Sequence, residues 1–179
     1  MSSYKAFSTN VEVNGETVLS VVEGMGAFRN SALKILAENG IKDPVPGKWY
    51  PQQAWLNAFK QIAEKVGKST LMQIGMKIPE NAKFPPDIDD LDKALSSLDF
   101  AYHMNHRGGN IGNYNYEKVD NKTIKMTCNN PYPCGFDKGI IQSIAKKFGV
   151  PNKPVYITHS ENEPCREKGE HSCTFLIQH

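Results

Sequence analysis

The sequence predicts an α+β fold in which N-terminal helices pack on an antiparallel β-sheet, with one helix between two C-terminal strand pairs. Two observations support this class. Apolar residues repeat at helical spacing in several segments between residues 24 and 102, and β-prone runs then flank a single amphipathic segment. No linker, internal repeat or low-complexity tract interrupts the chain, so we expect residues 1–179 to form a single ligand-binding domain.

The first half of the chain is predicted to open with a hairpin and to continue as helices. Asn14 and Gly15 lie between two β-prone runs and favour a two-residue hairpin turn. Helical spacing of apolar residues follows in four segments, at 24–40, 52–67, 69–74 and 88–102.

The second half of the chain is predicted to follow the order β-β-α-β-β. Residues 111–119 and 122–128 form one antiparallel pair, and residues 153–160 and 172–178 form the other. Residues 136–149 between these pairs have apolar side chains four apart and end in glycine, which is typical of a helix.

Charge and hydropathy exclude several classes of protein. The 21 basic and 19 acidic residues are spread along the chain, which argues against a nucleic-acid or anionic-membrane surface. No run of about 18 apolar residues is present, and the N-terminus has no secretory signal. We therefore expect a cytoplasmic protein without a membrane partner, whose four cysteines are thiols or metal ligands rather than disulfides.

The segment CREKGEHSC places Cys165 and Cys173 on either side of a charged loop. If the last two strands pair, these thiols approach each other and supply half of a tetrahedral zinc shell. The alternative is a pair of small buried residues at a strand end. The remaining zinc ligands can come from several nearby side chains: Cys134, Cys128, His159, Glu161, Glu163 or His171.

Cys134 precedes the predicted helix at 136–149, where the helix dipole favours a thiolate. This position suits a metal ligand or a nucleophile, but no sequence feature assigns a base beside it. No Ser-His-Asp arrangement, nucleophile elbow, phosphate loop or dinucleotide fingerprint is present. The pattern favours a binding protein over an enzyme.

Five residues of the helical half are candidates for a ligand pocket. Trp55 and Phe59 share an apolar helical face that serves either as core or as the wall of a pocket. His103 and His106 are three residues apart, one turn from Tyr102, at the end of a predicted helix. They can ligate haem iron or bind a polar ligand; the alternative is that they stabilise the C-terminus of the helix as cations.

Residues 131–176 together resemble the 4-vinyl-reductase-type small-molecule-binding domain, through NPYPCGFDKGIIQSIAKKFG followed by CREKGEHSCTF. That family belongs to the superfamily of the haem-NO-binding domains and the Bet3-type transport subunits. The resemblance implies a sensor or regulatory fold, usually a homodimer, found alone or attached to signalling domains.

In phenol-sensing members of this family, zinc is held by the two motif cysteines, an upstream cysteine and a preceding glutamate. Cys165 and Cys173 match the motif, and Cys134 lies near the upstream position. Asn162 stands where the resemblance implies the glutamate, which leaves the fourth ligand open, with Cys128 as a competitor.

We expect a domain that binds a small apolar or aromatic molecule between its helices and sheet, with a structural zinc. The alternative is a haem or tetrapyrrole protein using His103 or His106, although the Tyr-x-Ser-x-Arg motif of the haem-NO-binding domains is missing. A third possibility is an interaction module whose pocket is filled by its own side chains.

Overall fold

The computed structural model describes residues 3–179 and confirms the α+β class, with helices packed against antiparallel sheets. The helices are α1 (Gly15–Gly24), α2 (Arg29–Glu38), α3 (Gln52–Lys65), α4 (Ser69–Asn81), α5 (Leu91–Ser96), α6 (Leu98–Met104) and α7 (Cys134–Phe148). The strands are β1 (Glu12–Asn14), β2 (Trp49–Pro51), β3 (His106–Arg107), β4 (Asn113–Lys118), β5 (Thr123–Asn129), β6 (Tyr156–His159) and β7 (Cys173–Gln178).

The predicted hairpin at Asn14 and Gly15 is wrong, because the chain enters a helix at this point. The Asn14 side chain caps α1 by accepting a hydrogen bond from the Thr17 backbone N–H at 2.9 Å. Strand β1 pairs instead with β2 and β3, giving a small sheet in the order β2-β1-β3. Asparagine is favoured both in hairpin turns and as a helix cap. Which of the two structures forms here depends on the pairing of β1 with the distant strands β2 and β3.

The single helix expected at 88–102 is two short helices, α5 and α6, which meet at Ser97. Asp90 begins the first by accepting a hydrogen bond from the Lys93 backbone N–H at 2.7 Å. None of the helices within residues 3–179 combines the length and apolar character that crossing a membrane requires.

Both C-terminal strand pairs are confirmed, and they join into one antiparallel sheet in the order β4-β5-β7-β6. Side chains alternate along β5, so that Ile124, Met126 and Cys128 are buried while their neighbours are partly exposed. The register places Cys128 opposite Cys173 on β7.

Helix α7 is the central helix of the molecule, with buried side chains on most of its circumference. It packs closely against α4, and each of the two helices has a glycine at the contact. A Cβ on Gly139 would lie 2.2 Å from the Met72 carbonyl oxygen, and one on Gly75 would lie 2.1 Å from the Phe136 carbonyl oxygen. The two glycines therefore set the distance between α4 and α7.

Replacing Gly139 by alanine should lower the free energy of unfolding by about 1–3 kcal/mol, because the added methyl overpacks a backbone contact. Gly135→Ala is the matched control on the same helix, since the nearest atom to its Cβ would be 3.7 Å away. The control should unfold like the parent or be more stable by up to ~1 kcal/mol. Equal urea midpoints for the two variants would contradict this description of the interface.

Candidate metal centre and aromatic cavity

Four side chains bring ligand atoms within 4.8 Å of one another: Cys134, His159, Cys165 and Cys173. They come from the start of α7, the end of β6, the β6–β7 connection and the start of β7. The Sγ atoms of Cys134 and Cys165 are 3.7 Å apart. Tetrahedral zinc ligands at about 2.0–2.3 Å from the metal are separated by roughly 3.3–3.8 Å. The Cys134–Cys165 separation therefore matches two adjacent ligands of a tetrahedral zinc ion, and the cluster as a whole could hold a metal.

The structure brings together three of the four predicted cysteines and one of the four alternative ligands. His159 joins Cys134, Cys165 and Cys173, whereas Cys128 is not among the converging donors. Glu161, Glu163 and His171 also lie outside this group. Strand pairing between β6 and β7 selects His159, because it places the end of β6 beside the start of β7.

The hydrogen bonding of His159 leaves one ring nitrogen free to bind a metal. Its Nδ1 lies 3.2 Å from the Ser160 carbonyl oxygen, which can only accept a hydrogen bond, so Nδ1 carries the proton. Its Nε2 is buried and has no hydrogen-bond partner among the described residues. A histidine that donates from one nitrogen to a carbonyl and keeps the other free is the usual arrangement at metal sites.

The electrostatics of the cluster favour a thiolate at Cys134. A hydrogen bond from Cys173 is the largest influence and, with the positive charge of Arg166, lowers the pKa of Cys134 to about 6. The same hydrogen bond, together with burial, raises the pKa of Cys173. Thiolates are the form that binds metal, so the cluster carries one ligand ready for a cation.

Arg166 connects the cluster to the interior of the protein. Its backbone N–H donates to the Cys173 Sγ at 3.4 Å, and its guanidinium donates to the Cys128 carbonyl oxygen. The guanidinium also forms a salt bridge with Asp137 of α7, in which both side chains are almost fully buried. No sequence pattern indicates this pair, because a charged residue in a loop and one in the first turn of a helix are usually exposed.

Asp137 extends this connection toward the aromatic core. Its Oδ1 accepts hydrogen bonds from the Tyr114 hydroxyl at 2.6 Å and from the Asn130 side-chain amide at 3.2 Å. Burial raises the pKa of Asp137 against the opposing effects of Arg166, Tyr114 and Asn130. The carboxyl group is thus held by three partners, one of which lines a cavity.

That cavity has a volume of about 50 Å³ and lies between the helices and the C-terminal sheet. Trp55 and Phe59 pack with ring centroids 4.6 Å apart, and Trp55 meets Phe136 edge-on at 5.7 Å. Of the predicted ligand-binding residues, Trp55, Tyr102 and His106 line the cavity, while Phe59 lies behind Trp55 in the core. The other polar or aromatic side chains in its wall include Tyr114, Tyr132 and Phe136.

His106 belongs to a hydrogen-bonded chain that fixes its tautomer. Its Nδ1 donates to the Tyr102 carbonyl oxygen at 2.8 Å, so Nε2 must accept from the Tyr132 hydroxyl at 2.6 Å. The Tyr132 oxygen in turn accepts from the Gln52 side-chain amide at 2.8 Å. Burial lowers the pKa of His106 to about 4, so the ring is neutral at physiological pH.

His103 lies outside the cavity, on the exposed side of α6. Its Nδ1 is 2.9 Å from the Asp99 carbonyl oxygen, and half of its side chain is exposed. A different polar group faces the core without a partner in the described part of the chain, namely the Nε1–H of the fully buried Trp55. Sequence periodicity identifies Trp55 as an inward-facing residue but does not indicate that its donor is unsatisfied.

Solved structures of haem-NO/oxygen-binding (H-NOX) domains share this fold. The H-NOX protein of S. oneidensis in its Fe(II)NO state has 14% identity and a TM-score of 0.66, with 91% of this chain and 97% of that chain covered. A mutant of the T. tengcongensis H-NOX has 15% identity and a TM-score of 0.64, with 92% and 96% covered. An oxygen-binding H-NOX domain related to soluble guanylate cyclases has 15% identity and a TM-score of 0.61, with 92% and 91% covered.

Neither a protein-family model nor a curated relative matches the sequence. The structural likeness covers 91–92% of the chain. At 14–15% identity it shows the fold alone.

The residues around the cavity do not fit a haem in this conformation. Pockets for ligands of drug size occupy roughly 300–1,000 Å³, whereas this cavity has about 50 Å³. The Nε2 of His106, the nitrogen free of a proton, is already occupied by the Tyr132 hydroxyl. Trp55, Tyr132 and Phe136 fill the space between helices and sheet with their own rings.

The buried neutral His106 predicts a pH dependence of stability. In the unfolded chain the imidazole takes up a proton below about pH 6.5, while the folded protein resists this until pH falls to about 4. Its contribution is therefore complete above pH 6.5 and is lost as pH falls toward 4, by about 3 kcal/mol. Urea denaturation at a series of pH values between 7 and 4 measures this loss of unfolding free energy.

His106→Gln should flatten this part of the stability profile relative to the parent. His103→Gln, on the exposed side of the preceding helix, should leave the profile as it is in the parent. A profile that is equally steep in the parent and in His106→Gln would show that His106 is not the group responsible.

Proposed function

We propose that the chain is a small-molecule-binding sensor domain on the H-NOX fold, in which a structural zinc clamps one wall of the binding cavity. The observation that carries the proposal is the continuous connection between the two sites. Cys165 and Cys173 flank Arg166, the buried Arg166–Asp137 salt bridge leads to Tyr114, and Tyr114 lines the cavity.

Zinc is the metal that this donor set favours. Three thiols and one imidazole are soft and borderline ligands, and their number suits a tetrahedral ion. Four protein donors leave no open position for substrate, which is typical of structural rather than catalytic zinc. When bound, the ion would join α7 to the end of β6 and to the β6–β7 connection.

Protein purified without chelator should contain one equivalent of zinc by elemental mass spectrometry. Cys173→Ser should lose most of it and melt at a lower temperature, because metal-binding free energy contributes to folding. Cys128→Ala is the matched control: it removes a buried thiol on the neighbouring strand but none of the four converging donors. The control should retain one equivalent, and equal zinc loss in both variants would contradict the proposed ligand set.

The cavity is suited to a small ligand with one polar atom. Its wall is mainly apolar and includes several aromatic rings, and the unpaired Trp55 Nε1–H is a donor that a ligand oxygen can satisfy. A cavity of roughly 150 Å³ accepts a benzene ring, so a ring-sized ligand must displace a side chain from the space of about 50 Å³. Such a displacement would be transmitted through Tyr114 to Asp137 and would constitute the sensor's response.

Phenol and toluene test this site by calorimetry, because they share a ring and differ in the oxygen. Phenol should bind more tightly than toluene, and Trp55→Phe should weaken phenol binding by about fivefold to thirtyfold through the lost hydrogen bond. Trp49→Phe is the control, since Trp49 lies under Arg107 away from the cavity. Absence of phenol binding to the parent, or equal binding to both variants, would contradict the proposal.

A haem or another tetrapyrrole in the same place is the second candidate, and the structural likeness to H-NOX proteins favours it. His106 is the buried imidazole that would be available if Tyr132 released its Nε2 and the aromatic rings moved apart. Protein produced with added haem would then show a Soret band that His106→Ala removes and His103→Ala keeps. Stoichiometric haem that depends on His106 would mean that haem, and not a single-ring molecule, is the ligand of the cavity. Colourless protein would exclude haem.

The family resemblance adds a homodimer and a signalling partner to the proposal, and the sequence itself adds a cytoplasmic location. Sedimentation equilibrium of the purified protein measures the first of these directly. A monomer throughout the micromolar range would remove the dimer from the proposal and leave the binding sites unaffected.

A further inference from the structure

A second concave surface lies away from the aromatic cavity, between α7 and the segment that leads into β6. It is an open groove of about 750 Å³. One side is formed by α7 and Met76 of α4, and the other by residues 149–153 and 155–157, which include the first two residues of β6. The groove shares no residue with the four converging metal donors.

The groove carries an uncompensated positive charge. Lys138, Lys146, Lys147 and Lys153 line it, and none of the described carboxylates does. None of these four lysines takes part in a salt bridge within residues 3–179. The formal net charge of the whole chain is only +2, so this excess is local rather than a property of the entire surface.

One of the four charges is held in a defined position. The Lys147 Nζ lies 4.5 Å from the centre of the Phe84 ring and 5.8 Å from that of Phe148, and the two rings pack edge-on. Cation–π contacts of this kind restrict a flexible side chain.

The β6 side of the groove is the free edge of the C-terminal sheet. Strand β6 pairs only with β7 in the described chain, so its other edge has unpaired backbone groups. Tyr156 at the start of β6 is 60% exposed, and Val150 before it is 55% exposed. Peptides in extended conformation add to such edges through backbone hydrogen bonds, while flanking pockets recognise their side chains.

We infer that this groove binds an acidic, extended segment of a partner protein, which adds as a strand to β6 and places its carboxylates against the lysines. A second copy of this chain is disfavoured as occupant, because its own β6 edge carries the same positive charges. A nucleic acid would satisfy the lysines but has no backbone amides with which to pair a strand edge. The inference does not depend on the proposed zinc or on the cavity ligand.

The test uses the full-length chain and a fluorescein-labelled dodecapeptide of alternating glutamate and valine. Fluorescence anisotropy measures its affinity, and hydrogen exchange measures the protection of the β6 amides. Lys146→Glu combined with Lys153→Glu should weaken binding by about tenfold or more, since it reverses two of the contacting charges. Peptide binding should slow exchange in β6.

The matched control combines Lys42→Glu with Lys48→Glu, which changes the net charge equally at two exposed lysines outside the groove. Its affinity should stay within about twofold of the parent. If Lys146→Glu with Lys153→Glu does not fold by circular dichroism, the corresponding glutamine pair takes its place and should also weaken binding.

Three results would overturn the inference. Equal weakening in groove and control variants would show that only bulk charge matters. Preferential binding of single-stranded DNA to the same lysines, without protection of β6, would assign the groove to nucleic acid. Self-association that the groove variants abolish would assign it to a second copy of the chain.

Discussion

The buried salt bridge between Arg166 and Asp137 joins the two halves of the functional region. Both side chains are almost fully buried, so neither charge is stable there without the other. Removing one partner from such a pair typically costs about 3–5 kcal/mol. Because Arg166 follows Cys165 directly, the pair anchors the β6–β7 connection to α7. This anchoring brings Cys165 and Cys173 to Cys134.

The same helix forms part of both sites, which gives a physical basis for coupling them. Cys134 at the start of α7 belongs to the donor cluster, and Phe136 and Ile140 line the cavity. The close contact of α4 and α7 at Gly75 and Gly139 leaves little freedom for α7 to move independently. Under the proposed function, a change in the cavity wall would reach the cluster through α7 rather than through a flexible loop.

Much of this architecture follows from local sequence patterns. Helical periodicity predicts α3 and α7, and β-prone runs predict the four C-terminal strands. The cysteine pattern predicts Cys134, Cys165 and Cys173 as metal ligands together with Cys128, which is not among the converging donors. The hairpin prediction at Asn14 and Gly15 fails because a turn and a helix cap use the same residue types. The helix and strand predictions use interactions within a short stretch of chain, whereas the grouping of Cys134 with Cys165 and Cys173 rests on the family resemblance of residues 131–176.

The fourth metal ligand, the buried salt bridge and the size of the cavity depend on contacts between distant segments. His159 is one of several candidate fourth ligands in the sequence, and only the register of β6 against β7 selects it. Arg166 and Asp137 have the pattern of exposed charges, so their burial cannot be anticipated. The cavity is small because the rings of Trp55, Tyr132 and Phe136, which come from separate parts of the chain, pack against one another and fill most of the space.

X-ray absorption at the zinc K-edge of the purified protein tests the central claim most directly, because it counts the ligands of the ion by element. We predict three sulfur ligands at about 2.3 Å and one nitrogen ligand at about 2.0 Å. Four sulfur ligands would mean that Cys128 replaces His159. A shell dominated by oxygen and nitrogen would mean that the thiols of Cys134, Cys165 and Cys173 are not a zinc site.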